Sequence, residues 1–408
     1  METIVFLGSN KSGSSRDAII SAQELGLFTV LLTDRKKLIK QRTEFPDVHQ
    51  MILVHDLQNK EMIYKQISLI KNQGKQIKAI ISFIDPYVSL AAQIAKELNL
   101  SKLSVDALSK MEDKARFREA LKGIPVNPLY RICSYENDCY KMLEKEFVKF
   151  PFVLKTPVSN GSKDVFLIHS IKEYKKTIND FKTSFPNTPI LIEEYMDGPQ
   201  YLIELVVASS NITIVAIIEQ EISKISNRFI ITGYKMPALL TDKVNEKLYF
   251  AIDNIIKEIG LKNGTCHLEM RYVNHEWKLI EINPRISGSA INQLIYEATG
   301  INLVKETLKL SLGWDLCLKP TKNENAFVQF LTITSPGKLI RVTGKNKARN
   351  IKGVKSVYVK PKKGSILTPP VSMGDRYAYV LAISKDPSKA REIAKSAAKE
   401  IKFFLEPL

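Results

Sequence analysis

Apolar residues in the first hundred positions fall into short unbroken runs, and between the runs they recur with a helical repeat. Residues 3–8 (TIVFLG) read as a buried strand, and Thr29–Thr33, Met51–Val54 and Ala79–Ile84 repeat the pattern. Ala18, Ile19, Ala22 and Leu25 mark one face of a helix that opens near Ser15 and stops at Gly26. Glu61–Asn72 and Val88–Leu98 read the same way. Strands alternating with helices predict a parallel, doubly wound sheet. A helical stretch, Val105–Leu121, follows. From Phe152 to Asn283 strands dominate, with helices at Ile171–Lys182 and Glu246–Ile259, an α+β body. From about residue 326 come short strands, Gly/Pro turns and a closing helix, Pro387–Phe403.

A chain of 408 residues is too long for one ordinary core and predicts two to four lobes. With 44% hydrophobic and 25% charged residues it has the composition of a globular protein. No apolar run approaches the roughly 20 residues of a membrane span. The opening METIVFLGSN lacks a basic region and runs straight into a strand, so no signal peptide is expected. Four cysteines, Cys133, Cys139, Cys266 and Cys317, lie scattered without a zinc or disulfide frame. Such usage suits a reducing cytoplasm. The net charge of +17 raises the question of nucleic acid. The excess lysine is spread along the chain, however, and no basic segment is interleaved with stacking aromatics. The charge reads as solvated surface helped by an anionic substrate, and neither nucleic acid nor membrane is expected as a partner.

Chemistry concentrates in HLEMRYVNHEWKLIEINPR, His267–Arg285. Alternation on both sides of Asn274–Glu276 predicts a hairpin with a three-residue loop, Val273 pairing with Trp277. Glu269 then faces Glu281, and His267 faces Asn283. Residues two apart share a face, so all four side chains point the same way. Opposed Cβ atoms lie about 4.5–5.5 Å apart, where two carboxylates repel unless a positive charge offsets them. Hard oxygen ligands at that spacing suit Mg²⁺, completed by nucleotide phosphates and water. A solvent-facing hairpin with incidental acids is the alternative. Asn283–Pro284–Arg285 leaves the strand stiffly with a guanidinium suited to an acyl phosphate or an oxyanion, or else with an ordinary surface arginine.

Weaker signals lie upstream. Gly8 and Gly13 have P-loop spacing, but Ser14 stands where the lysine belongs, and no G-x-G-x-x-G occurs. In PFVLKT, Lys155 sits among apolar neighbours and either snorkels or meets an anion. The loop Ser159–Asp164 is either an ordinary Asn-Gly turn or a cover for phosphate oxygens. In ILIEEYMDGPQYLIELVV, Glu193–Met196 either face water or offer main-chain groups and a carboxylate to an adenine edge.

In their order along the chain, Lys114, Lys155, the Gly-Ser loop, EEYMDGP, Glu269, Glu281, Asn283 and Arg285 resemble the ATP-grasp superfamily, over nearly the whole chain. The resemblance implies an ATP-grasp fold, α/β and α+β. Residues 1–104 would form an N-terminal doubly wound domain and 105–320 the ATP-grasp domain. The latter would divide into a small lid lobe, about 125–195, and a large lobe, about 196–320, leaving 321–408 as a small C-terminal α+β domain. It further implies that ATP is bound by Lys114, Lys155, Gly161, Ser162, Glu193, Glu194, Tyr195, Met196 and Gln200. Mg²⁺, two ions with Mn²⁺ as a substitute, would sit on Glu269, Glu281 and Asn283, and Arg285 would stabilise the acyl phosphate. Gln200 departs from the family's ribose-binding Glu, and Asp164 replaces the lid's second glycine.

Within the superfamily, FLGSNKSGSSRDAIISAQELG, NPRISGSAINQLIYEATGINL and the tail SPGKLIRVTG…GSILTPPVSMGDRYAYVLA resemble bacterial L-amino-acid ligases, which make dipeptides. That implies two free amino acids as substrates, ADP and phosphate as products, and a homodimer. Gly288 would give its N–H to the substrate carboxyl or phosphate. The loop Gly233–Pro237 has Tyr234 where a histidine is usual, which points to altered substrate choice. Glu221 and Asp85, at the ends of apolar strands, are candidates for an acidic pocket or else exposed acids. The alternatives are another carboxylate–amine ligase or carboxylase-like enzyme, though no biotin-carrier or glutaminase segment is seen, and a non-catalytic nucleotide-binding protein.

Overall fold

The computed structural model describes residues 1–134, 149–158, 164–225, 228–288 and 290–408. Strands β1 (Glu2–Leu7), β2 (Phe28–Thr33), β3 (Gln50–Leu53) and β4 (Gln76–Ile81) form a parallel sheet in the order β3-β2-β1-β4. Their unbroken apolar runs follow from cover on both faces. Ile4, Phe6 and Leu31 pack with Ala18, Ile19 and Ala22 of the helix Ser14–Glu24. Val5, Leu7, Val30 and Leu32 pack with the helices Lys60–Asn72 and Val88–Glu97 on the other side. The predicted stretch Val105–Leu121 is two helices, Val105–Met111 and Lys114–Ala120. Asp113 divides them: its backbone is extended, and its carboxylate caps the second helix by accepting from the Ala115 and Arg116 N–H groups at 2.8 and 3.2 Å.

β5 (Tyr130–Cys133), β6 (Phe152–Lys155), β7 (Val165–Ile168) and β8 (Ile190–Glu194) make a second sheet, ordered β5-β8-β6-β7. The helix Ile171–Ser184 covers it with Tyr174 and Phe181. The central sheet is antiparallel and has eight strands, β13-β12-β9-β10-β11-β14-β18-β16. It takes in β9 (Gln200–Ala208), β10 (Asn211–Ile225), β11 (Arg228–Met236), β12 (Gly264–Val273) and β13 (Glu276–Asn283). It continues without a break into β14 (Asn325–Leu331), β18 (Ala378–Ser384) and β16 (Val354–Val359) of the C-terminal segment. One apolar core accordingly joins Ile4, Leu202, Ile286, Ile291, Val328 and Leu381.

β15 (Gly337–Thr343), β17 (Ile366–Leu367) and β19 (Lys402–Glu406) complete the fold as a three-stranded sheet. The closing helix is shorter than its repeat predicts, Pro387–Glu400. Ala390, Ala394, Ala397 and Ala398 keep its buried stripe, but Ile401 turns extended and the chain becomes β19, with Leu405 opposite Leu339. There Leu405 packs against Leu339, Leu367 and Tyr377, burial that a further helical turn would forgo. Among the described residues no helix is long and apolar enough to cross a membrane.

Candidate active site

β12 and β13 pair with Glu269 opposite Glu281 and His267 opposite Asn283, as the alternation predicts. The loop differs from the expectation. Val273 pairs with Glu276 and Tyr272 with Trp277, so the connection is only Asn274 and His275, both at positive φ, 49° and 65°. That is the geometry of a tight hairpin turn whose twist matches the strands. It sets a register one residue off, and a bulge at Ile280 restores it before Glu281. Arg118 takes the bulged carbonyl, donating from Nη2 to Ile280 O at 2.8 Å.

The hairpin face opens into a cavity of about 390 Å³ lined from both the second and the central sheet. Lys114, Lys155, Glu193 to Met196, Gln200, Tyr234, Glu269, Glu281, Asn283, Arg285 and Gly288 all contribute to its wall. Lys114 Nζ lies 3.0 Å from Glu281 Oε1 and supplies the positive charge that two opposed carboxylates require. Burial works against ionisation of Glu281, but Lys114 and Lys155 outweigh it and hold its pKa below the ordinary value. Glu269 goes the other way: burial, then the charge of Glu281, push its carboxyl up. Gln200 Nε2 donates to Glu269 at 3.3 Å, while Gln200 Oε1 accepts from Arg271 at 3.0 Å.

Behind these groups runs a buried chain of charge. Lys155 Nζ meets Glu193 at 2.7 Å, and the other Glu193 oxygen meets Arg118 Nε at 2.6 Å. Burial draws the Lys155 pKa down to about 8 despite Glu193. Glu193 therefore positions Lys155 and does not present its carboxylate to an adenine edge, which corrects the expectation for that side chain. Arg118 is fully buried and also donates to Asn127 Oδ1 at 3.1 Å. The sequence reading passed over it. Its spacing of four from Lys114 places both on one helix face, and that was the available signal. Glu194 accepts from the Leu129 N–H at 3.0 Å, the Tyr195 ring stacks on Phe229, and Met196 O accepts from Arg271.

Two carboxylates and an amide make a hard-oxygen set, but not a complete shell. Among the described residues no group of three or more His, Cys, Asp or Glu side chains could hold a metal alone. The donors thus fit Mg²⁺ bound together with phosphate oxygens and water rather than a protein-only cage. Asn283 is oriented for this: its Nδ2 lies 3.1 Å from His267 Nε2, and His267 Nδ1 lies 2.8 Å from Arg285 O. Burial, then Arg285, lower the His267 pKa to about 4. A neutral ring with its proton on Nδ1 satisfies both contacts and leaves Asn283 Oδ1 for a cation.

Arg285 is braced from the turn that follows β4. Its Nε donates to both oxygens of Asp85, at 3.1 and 3.0 Å, and a second bond runs from Nη2 to Oδ2. Asp85 is hence a brace and not a wall of the cavity, contrary to its assignment to an acidic pocket. The segment after Arg285 is anchored by Glu204, whose Oε1 accepts from the Ser287 N–H at 2.9 Å, and by Ser14 at the start of the first helix, which donates to Ser287 O. Glu221 also leaves the pocket. It sits within β10, not at its end, and ion-pairs with Arg391 and Lys395 of the closing helix. Tyr234 does line the cavity, but Gly233–Met236 belong to β11 and not to a loop, because they pair with β14. Gly161 and Ser162 lie outside the described residues.

Three family models match the chain: an ATP-grasp N-terminal domain over residues 19–101, an ATP-grasp domain over 148–293, and the L-amino acid ligase C-terminal domain 2 over 329–406. The chain belongs to the ATP-grasp ligases. Within that class its last segment is of the kind found in L-amino acid ligases. It is 27% identical over 342 residues to the uncharacterized protein y4rH of Sinorhizobium fredii, covering 81% of this chain and 69% of that one. It is 28% identical over 321 residues to the carbamoyl phosphate synthase large chain of Campylobacter jejuni, covering 74% of this chain but only 28% of that much longer protein. In fold it is similar to the L-amino acid ligase from Bacillus licheniformis, with a TM-score of 0.84 at 17% identity over 100% of this chain and 99% of that one.

Proposed function

We propose that this chain joins two L-amino acids into a dipeptide by way of an aminoacyl phosphate. The observation that carries the reading is the opposed pair Glu269 and Glu281, with Lys114 and the braced Arg285, in one cavity whose wall continues into the ligase-type C-terminal segment. A carboxylate oxygen of the first amino acid attacks the γ-phosphorus of ATP, and the bond to the β-phosphate oxygen breaks to release ADP. The amine of the second amino acid then attacks the acyl carbon. The C–N bond forms, the C–O bond to phosphate breaks, and the amine gives up a proton.

Such transfers need positioning and charge neutralisation more than a protein nucleophile. Lys114 and Lys155 serve the phosphates, with Glu193 and Arg118 fixing where Lys155 stands. Arg285 offsets negative charge as the acyl phosphate forms, and Asp85 keeps its fork from swinging. Gly288 offers its N–H at the edge of the reacting centre. Glu269, Glu281 and Asn283 would hold Mg²⁺, which would supply positive charge against the phosphates when bound. We place two ions there, with Mn²⁺ as a substitute, and expect a cytoplasmic homodimer; a monomer mass by light scattering at micromolar protein overturns the dimer.

Incubation with ATP, Mg²⁺ and all pairs of the standard amino acids tests the reading, with ADP and phosphate quantified and products weighed by mass spectrometry. A pair-dependent release of ADP with a product at the summed mass less water is expected. AMP and pyrophosphate as products, or ADP release that needs bicarbonate in place of one amino acid, would overturn it.

A further inference from the structure

The cavity wall formed by the C-terminal segment is the stretch Val371–Arg376. Ser372 and Asp375 cap a short turn there reciprocally, and Asp375 also accepts from the Val371 N–H at 3.1 Å. The turn fixes the direction in which Arg376 leaves the backbone. Its guanidinium lies 3.9 Å from the centroid of Phe330 and 5.8 Å from that of Tyr234, two rings set at 81° to each other. Nε donates to Met373 O at 3.1 Å, and Nη1 makes long contacts of 3.4 Å to Ile231 O and the Tyr234 hydroxyl. Among the described residues Nη2 has no acceptor. Lys114, Lys155 and Arg285, which line the same cavity, each face a carboxylate, whereas Arg376 faces none among the described residues.

A guanidinium stacked on a ring and pinned at one edge presents its remaining donors in its own plane, the arrangement that receives a carboxylate. In the reaction proposed above, on which this argument rests, one carboxylate never reacts. It is the α-carboxylate of the amine donor, or the side-chain carboxylate of an acidic amino acid. We infer that Arg376 binds a non-reacting carboxylate of an amino-acid substrate. The pocket is then selective for anionic groups at this wall, the opposite of the acidic pocket expected from Glu221 and Asp85.

The test compares ADP-release kinetics of the wild type, Arg376→Gln and Arg376→Lys, with each amine donor supplied as the free acid and as its carboxamide. Charge-assisted hydrogen bonds contribute about 1.5–3 kcal/mol, so Arg376→Gln should raise KM for the donor roughly 10- to 100-fold while kcat changes little. Arg376→Lys should fall between. The carboxamide should bind poorly to the wild type and respond to neither substitution. A KM rise confined to aspartate and glutamate assigns the side-chain carboxylate instead, within the same inference. Unchanged KM in Arg376→Gln, or an equal loss for acid and carboxamide, overturns it and leaves Arg376 as packing for Phe330. Should the Gln variant not fold, equal wild-type KM for acid and carboxamide, with no preference for acidic amino acids, has the same force. No ADP release from the wild type with any pair removes this inference and the ligase reading together; ADP release indifferent to Arg376 removes this one alone.

Discussion

Arg285 and Asp85 divide a task that a single side chain cannot perform. In the proposed reaction Arg285 brings the charge, and Asp85, held in the turn after β4, removes the rotational freedom of a long side chain. Arg285→Ala should therefore lower kcat by about 10²–10³, the usual scale for losing a transition-state donor, with a smaller effect on ATP affinity. Asp85→Asn should cost about tenfold, since the charge stays and only its aim is lost. Steady-state kinetics with ATP titration checks both; a change only in apparent ATP affinity would make Arg285 a ground-state binder. Glu204 offers a different test. Burial pushes its carboxyl up from 4.5 to about 7, against the hydrogen bond from Ser287. Between those values the folded chain holds a proton that the unfolded chain has released, so stability falls as pH rises through this window. Glu204→Gln, neutral throughout, should match the wild type near pH 4.5 and exceed it above pH 7 by on the order of 1–3 kcal/mol. Urea unfolding at a series of pH values would show this, and parallel profiles would refute it. Glu269 and Glu281 were legible in the sequence because strand alternation puts them on one face. Glu204 was not, since one acid in LIELVV gives no sign of what covers it.

At the scale of elements, the hairpin shows what spacing can and cannot decide. A three-residue loop and a two-residue loop followed by a bulge put Glu269 opposite Glu281 equally well. Alternation therefore reports the pairing and is blind to the turn. The two loops differ in backbone conformation, and that is measurable. His275 has φ of 65°, a region that disfavours side chains, so His275→Gly should stabilise the protein by up to about 1 kcal/mol without altering kcat. Thermal or urea unfolding decides; a loss of stability would mean that the His275 ring contact with Tyr272 outweighs the backbone strain. Arg118 escaped notice for a related reason. An arginine in KARFREA reads as solvated until the partners from β8 and β13 are in place, and sequence periodicity names no partners.

For the molecule as a whole, the sheet that begins at the Glu281 hairpin ends in the C-terminal segment. Strand patterns announce strands but not their neighbours, so residues 321–408 read as a small C-terminal domain with no sign that three of its strands extend the central sheet. A chain ended at residue 320 should thus expose the β11 edge and the apolar side chains around Ile291 and Leu294, and aggregate. Sedimentation of the purified fragment tests this, and a soluble monomer with cooperative unfolding would contradict it. The seam itself consists of four facing pairs, from Gly233 opposite Gln329 to Met236 opposite Ala326. Backbone ladders read almost no side-chain identity, with one exception here. A Cβ at Gly233 would come within 2.6 Å of the Phe327 ring, so Phe327 demands glycine across the seam. Beyond the ladder the segment is keyed to the rest of the chain by Arg391 and Lys395 on Glu221 and by Val328 and Leu381 in the shared apolar core, so an exchange from β14 onward would have to keep these partners as well. Recombination between relatives in the stretch joining Gly313 to Glu324 would carry Val371–Arg376 wholesale to a new nucleotide site. Such an exchange would replace one wall of the pocket and leave Glu269, Glu281 and Arg285 on the other wall in place.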